Sequence, residues 1–215
     1  MSTLYSYFRS SAAYRVRIAL NLKGLDYETV PVHLVREGGE QRKPAYLALN
    51  VNGLVPTFVD EGVNLHQSLA IIEYLEDVHP TPALLPANPV ARAQVRALAL
   101  DIAADIHPID NLRVLRYLKH DLGVTDAQKD AWYVHWVVEG FTALEARLAA
   151  QSPHGRFTFG DTPTLADCCL VPQVYNANRF KVDMTRFPRI AAVNAHCLAL
   201  DAFRRATPEA QPDAE

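Results

Sequence analysis

Tyr5-Ser6-Tyr7-Phe8-Arg9-Ser10-Ser11-Ala12-Ala13-Tyr14-Arg15-Val16-Arg17-Ile18-Ala19-Leu20 is the stretch that decides the fold. Leu4 to Phe8 alternates as a strand does, and Val16, Ala19, Leu20 and Lys23 then recur at helical spacing, which predicts a helix over 12–23. Ser10 and Ser11 therefore stand at a strand-to-helix junction. A helix start carries unpaired backbone N–H groups and a positive dipole potential. Such a place stabilises a thiolate, and a serine hydroxyl there can donate one more hydrogen bond to it. A serine before a helix is also an ordinary N-cap, so the junction alone assigns no function.

Two further pieces follow. Val55-Pro56 precedes the short strand 57–59, where a cis proline would leave the backbone of Val55 free to pair with an extended peptide. Gln67-Ser68 opens the apolar helical pattern Leu69-Ala70-Ile71-Ile72-Glu73-Tyr74-Leu75, whose first N–H groups, with the Ser68 hydroxyl, can receive a carboxylate. Strands are expected near 4–8, 27–33, 57–59 and 63–66, and helices at 12–23, 44–50 and 68–79, a β-α-β-α-β-β-α order. The Pro-rich run Pro80-Thr81-Pro82-Ala83-Leu84-Leu85-Pro86 breaks that order and marks a boundary between a mixed domain, 1–80, and a second domain, 87–215. Beyond it only helical periodicities remain, over 90–122 and 126–150, so the second domain is expected to be all-helical. His107-Pro108 predicts a kink in the first of these helices. Thr164 and Asp167 have the spacing of a capping box, and the tail after Pro208 is expected to be disordered.

The 215 residues, 49% hydrophobic with a net charge of −3, can bury a sizeable core and carry no basic footprint for nucleic acid. No stretch approaches the roughly 20 apolar residues of a membrane span, so neither nucleic acid nor membrane is expected as a partner, and the expected location is cytoplasmic. The cysteines, Cys168, Cys169 and Cys197, sit in apolar helical context and read as core packing. Neither they nor the eight histidines show metal-ligand spacing, so no metal is expected.

Tyr5 to Leu20 resembles the zeta-class glutathione transferases, the class that includes maleylacetoacetate isomerase. The resemblance extends through His66-Gln67-Ser68-Leu69-Ala70-Ile71-Ile72-Glu73-Tyr74-Leu75, Pro80-Thr81-Pro82, Leu170-Val171-Pro172-Gln173 and Arg179-Phe180-Lys181-Val182-Asp183. Maleylpyruvate isomerases look similar too, around Asp105-Ile106-His107-Pro108-Ile109 and Leu200-Asp201-Ala202-Phe203-Arg204-Arg205. The resemblance implies a glutathione transferase fold: an α/β thioredoxin-like N-terminal domain that binds glutathione and an all-α C-terminal domain for substrate. One departure stands out, because Ala12 occupies the place of the cysteine in the family's Ser-Ser-Cys.

Carried over residue by residue, the resemblance implies glutathione contacts at Ser10, Ser11, Ala12, Ala13, Tyr14, Arg15, Gln41, Val55, Gln67, Ser68, His107, Asn111, Leu112 and Arg113. It makes Ser10, or else Ser11, the thiolate-stabilising hydroxyl, and matches Arg9 and Arg179 to arginines that hold the carboxylates of a small dicarboxylate substrate. The implied reaction is a cis–trans isomerisation of maleylacetoacetate in aromatic catabolism, by reversible addition of the glutathione sulfur to a conjugated alkene. Maleylpyruvate isomerisation, or conjugation of small electrophiles such as α-haloacids, would use the same site. A homodimer is also implied.

Overall fold

The computed structural model describes residues 1–150 and 155–215 and divides into two compact units, Met1–Leu84 with Leu198–Glu215, and Leu85–Cys197. In the first unit the chain runs β1 (Ser2–Ser6), α1 (Ser11–Leu22), β2 (Tyr27–Pro31), α2 (Pro44–Leu47), β3 (Thr57–Asp60), β4 (Val63–His66) and α3 (Ser68–Val78). This is the expected order. The sheet is β2-β1-β3-β4, with β1 parallel to β2 and antiparallel to β3, and β3 antiparallel to β4. Helices α1 and α3 bury Val16, Ile18, Ala19, Leu20, Ile71, Ile72 and Leu75, and each large side chain withdrawn from water contributes about 1.5–3 kcal/mol.

β1 ends two residues sooner than its alternation suggests. Tyr7 and Phe8 leave the ladder and bury their rings with Val32, Tyr46 and Val55, so the apolar pattern continues past the strand into a packed turn. At the far end of α3, Lys23 donates to Glu76 (2.8 Å) and to the carbonyls of His79 and Pro82, while the Glu76 carboxylate accepts from the Leu84 N–H. The Pro-rich link is thus fastened by a buried ion pair whose charges are further satisfied by backbone groups.

The second unit is helical among its described residues: α4 (Pro89–Leu100), α5 (Leu112–His120), α6 (Asp126–Ala150), α7 (Leu165–Arg179) and α8 (Pro188–Leu198), whose last residue falls with the first unit. The 90–122 periodicity does not form one kinked helix. It breaks into α4, a π-helical turn at Asp101–Ile106 and α5, because Pro108 has no N–H to continue the ladder and His107 closes on Ile102 at 2.9 Å. Gly140 of α6 admits that turn, since a Cβ there would collide with the Ile106 side chain. Asp167 caps α7 from a fully buried position, accepting from the Thr164 N–H (2.7 Å), the Thr164 hydroxyl (2.9 Å) and the Thr158 N–H (2.8 Å). Cys168, Cys169 and Cys197 are buried thiols.

The end of the chain departs from expectation twice. Leu198–Glu215 belongs to the first unit rather than to the helical one, and the segment after Pro208 is ordered. After α9 (Asp201–Arg204) a 3₁₀ turn spans Pro208–Ala210, and the buried Gln211 donates to the carbonyls of Arg205 and Thr207, both at 2.9 Å. Those internal hydrogen bonds are what a polar, Pro-containing composition conceals.

Candidate active site

Ser10 is the N-cap of α1: its backbone is extended (φ −71°, ψ 115°) and its hydroxyl oxygen accepts from the Ala13 N–H at 3.2 Å. The hydroxyl proton is left to donate outward. Ser11 is the first residue of the helix and is buried, as are Ala13, Tyr14 and Arg15, whereas Ala12 is half-buried. From the middle of α1, Arg15 donates to the Ser68 hydroxyl at 3.3 Å within the buried interior, which joins the starts of α1 and α3. Gln67, just before α3, adopts φ 69°, a left-handed conformation rare for a residue with a side chain, and is exposed.

The Val55-Pro56 bond is cis, as expected; Thr81-Pro82, for which no cis bond was expected, is cis as well. Val55 lies just outside the ladder, whose pairing begins at Thr57. A polar network holds this segment. The Tyr46 hydroxyl bonds to Leu54 O (2.7 Å) and Thr57 Oγ1 (2.8 Å), and the Asn50 amide donates to the same two groups at 2.9 and 3.1 Å. Gln41 is buried; its amide donates to Leu34 O at 3.4 Å, and its Oε1 has no partner among the described residues.

Glutathione is a tripeptide thiol with carboxylates at both ends, and these groups fit it. The start of α1 with Ser10 suits a thiolate, the start of α3 with Ser68 suits a carboxylate, Val55 suits a peptide, and the orphaned Gln41 Oε1 suits an N–H donor. Arg9 is exposed, donates to the Tyr7 hydroxyl at 3.0 Å, and rests 4.9 Å from the Phe8 ring centroid.

In the helical unit, His107 and Asn111 lie together, with His107 Nε2 and Asn111 Nδ2 3.4 Å apart. Asn111 caps α5 by accepting from the Arg113 N–H at 3.1 Å, Leu112 is half-buried, and the Arg113 side chain is exposed. Arg179 ends α7, where it donates to Asn176 at 3.4 Å and lies 5.8 Å from the Phe180 ring. Phe180 stacks on Tyr133 at 3.6 Å between centroids. Burial pushes the Tyr133 hydroxyl well above the usual phenol range, with the Asp110 charge adding to the rise and Arg179 opposing it. Asp110 is itself buried, neither carboxylate oxygen has a partner among the described residues, and burial lifts its pKa to about 8.

Three groups here escaped the sequence reading. Arg17 is wholly buried, and burial lowers its pKa to about 10. The Tyr46–Asn50–Thr57 network and Asp110 are the others. None carries a local motif; the available hint was that Arg17 stands on the apolar side of its helix, next to Leu20 at three residues' spacing.

Among the described residues, no cluster of His, Cys, Asp or Glu could hold a metal, and no helix is long and apolar enough to cross a membrane. Residues 4–83 match the family model "Glutathione S-transferase, N-terminal domain", and residues 126–195 match "Glutathione S-transferase, C-terminal domain". The chain is 54% identical to the probable maleylacetoacetate isomerase of Vibrio cholerae, across 98% of this chain and 97% of that protein. Among solved structures, a holo maleylpyruvate isomerase, a bacterial zeta-class glutathione transferase, superposes with a TM-score of 0.96 at 54% identity, covering 99% of this chain and 100% of that one. The maleylacetoacetate isomerase of Methylobacterium extorquens AM1, with bound malonate and GSH, does so at 0.95 with 40% identity and 99% coverage of both chains. The thioredoxin-like sheet, the helical second unit and these likenesses together make one statement: the chain belongs to the zeta class of the glutathione S-transferase family.

Proposed function

We propose that this protein is a glutathione-dependent cis–trans isomerase that converts maleylacetoacetate to fumarylacetoacetate in aromatic catabolism, as in tyrosine degradation. The observation that carries the reading is the capped start of α1, where Ser10 keeps a hydroxyl proton to donate and Ala12 leaves no protein thiol. Bound glutathione supplies the nucleophilic thiolate that adds reversibly to the activated alkene and so lowers its bond order. The first unit, through Ser10, Ser11, Ala12, Ala13, Tyr14, Arg15, Gln41, Val55, Gln67 and Ser68, holds that tripeptide, with Ser10 and the N–H groups of α1 lowering the pKa of its thiol. His107, Asn111, Leu112 and Arg113 contribute from the helical unit.

Arg9 and Arg179 orient the diacid by charge-assisted hydrogen bonds and stabilise the negative charge that thiolate addition would place on its conjugated acyl group. The malonate that accompanies GSH in the Methylobacterium relative is a small dicarboxylate and supports this substrate class. Maleylpyruvate is the second reading, favoured by the equal 54% identity to a maleylpyruvate isomerase. Assaying both acids with and without glutathione separates the cases: turnover without glutathione, or of neither acid, would overturn the isomerase reading, and consumption of the thiol would point to conjugation. We further propose a cytoplasmic homodimer, which a monomeric mass at micromolar concentration would refute.

A further inference from the structure

The last segment of the chain grips the turn that precedes Ser10. Asp213 Oδ2 accepts from the Phe8 N–H at 3.0 Å, across more than two hundred positions of sequence. On the other side of the same residue, the buried Arg17 donates Nη2 to Phe8 O at 3.0 Å and Nη1 to Ser6 Oγ (3.0 Å) and Tyr7 O (3.4 Å). Its Nε donates to Ala206 O at 3.0 Å, which fastens the terminal segment to the same cation. Tyr7 O also accepts from the Ser10 N–H at 2.9 Å. Both backbone polar groups of Phe8 are therefore held by charged side chains, and the turn they fix leads directly into Arg9 and Ser10.

β1 ends at Ser6, so no strand ladder orients this turn; the pair Arg17 and Asp213 does so instead. A donor aimed at sulfur works only when its direction is held to a fraction of an ångström. We infer that Asp213 is a positioning residue for the thiolate site: by fixing the Phe8 peptide from the chain's terminal segment, it aims the Ser10 hydroxyl and the first N–H groups of α1. The inference rests on the proposed role of Ser10 in holding a glutathione thiolate.

The test reads the bound thiol itself, with no diacid present, and then turnover of the diacid in a separate assay. In the Asp213→Ala variant saturated with glutathione, the thiolate ultraviolet absorbance at neutral pH should fall, and kcat should drop about tenfold, the usual scale for one buried group left unpaired. The KM for glutathione should move less than about twofold, because the groups around Gln41, Val55 and Ser68 are untouched. Asp213→Asn retains an acceptor oxygen and should recover most of both signals. Glu215→Gln serves as the control, since Glu215 pairs with Arg36 and His33 farther along the tail and should leave the thiolate at the parental level. Parental absorbance and kcat in Asp213→Ala would overturn the inference, and so would an equal loss in Glu215→Gln, which would indicate general loosening. The outcomes remain separable from the functional reading: absence of isomerase activity in the parent protein sinks that reading without altering the thiolate measurement, and an unchanged thiolate in Ser10→Ala removes Ser10 from the argument while leaving the isomerase reading open.

Discussion

The candidate binding groups of the two units are of different kinds. In the first, the groups that suit glutathione are mostly backbone: the start of α1, the start of α3 and the unpaired edge at Val55, each trimmed by a small hydroxyl such as Ser10 or Ser68. In the helical unit they are long side chains, with Arg179 held by Asn176, and His107 by Asn111, beside a buried carboxyl and phenol at Asp110 and Tyr133. Backbone sites follow from element order, which local sequence encodes. Side-chain sites depend on packing between distant residues.

If the division holds, the largest loss of rate comes from the smallest atom in the first unit. Ser10→Ala should lower kcat by about 10²–10³, corresponding to about 2.7–4 kcal/mol for one donor aimed at developing charge. Glutathione affinity should change little, because the carboxylates and peptide groups supply most of the binding. Titrating the bound thiol decides the point: an unchanged pKa would transfer the role to Ser11 or to the helix terminus alone.

Arg179→Ala probes the other unit. It should raise KM for the diacid about ten- to a hundredfold, from losing a charge-assisted pair worth about 1.5–3 kcal/mol. Conjugation of an uncharged chloro-nitrobenzene should be nearly unaffected, and so should glutathione binding. Equal losses in both reactions would mean that Arg179 supports the thiolate or the fold, and the contrast between the units would fail.

This contrast also explains what was legible in the sequence. The β-α-β-α-β-β-α order, the α6 span, the Thr164–Asp167 cap and the cis bond at Val55-Pro56 all follow from patterns a few residues long. The π-helical turn did not, because the apolar spacing of 90–122 is compatible with one helix and only the packing of Ile106 against Gly140 shows where it widens. Arg17 is buried although it is charged, because its partners, Phe8 O and Ala206 O, come from a turn and from the far end of the chain. Asp110 has no motif at all; the Tyr133 phenol of α6, whose pKa its charge helps raise, is remote from it in sequence.

Asp110 therefore gives a test in which stability, rather than rate, reports on the helical unit. Its pKa is raised by burial to about 8, against about 3.9 in an unfolded chain. The folded state thus holds the extra proton between these values, and the protein loses stability through this group as pH rises from about 4 to about 8. Asp110→Asn removes that dependence. The variant should match the parent near pH 4 and become progressively more stable than it towards pH 8, seen as a difference in Tm that widens with pH. A difference independent of pH would mean that the carboxyl is solvated or paired.

The smallest effect should come from restoring the residue that the family places after the two serines. Ala12 is half-buried in the first turn of α1, one residue past Ser11, where the same N–H groups and dipole that serve glutathione would also lower the pKa of a cysteine. If the thiol needed for isomerisation comes wholly from glutathione, Ala12→Cys adds a nucleophile without adding catalysis. The expected change in kcat/KM is below about threefold, within about 0.7 kcal/mol, and the glutathione-free rate should stay at background. The new thiol should nevertheless react faster with iodoacetamide than a thiol placed on an exposed loop, and bound glutathione should slow that reaction by covering the helix start. Isomerisation by Ala12→Cys without glutathione would break the assignment, because the protein chain could then supply the thiolate and the backbone-built first unit would no longer be defined by the tripeptide it holds.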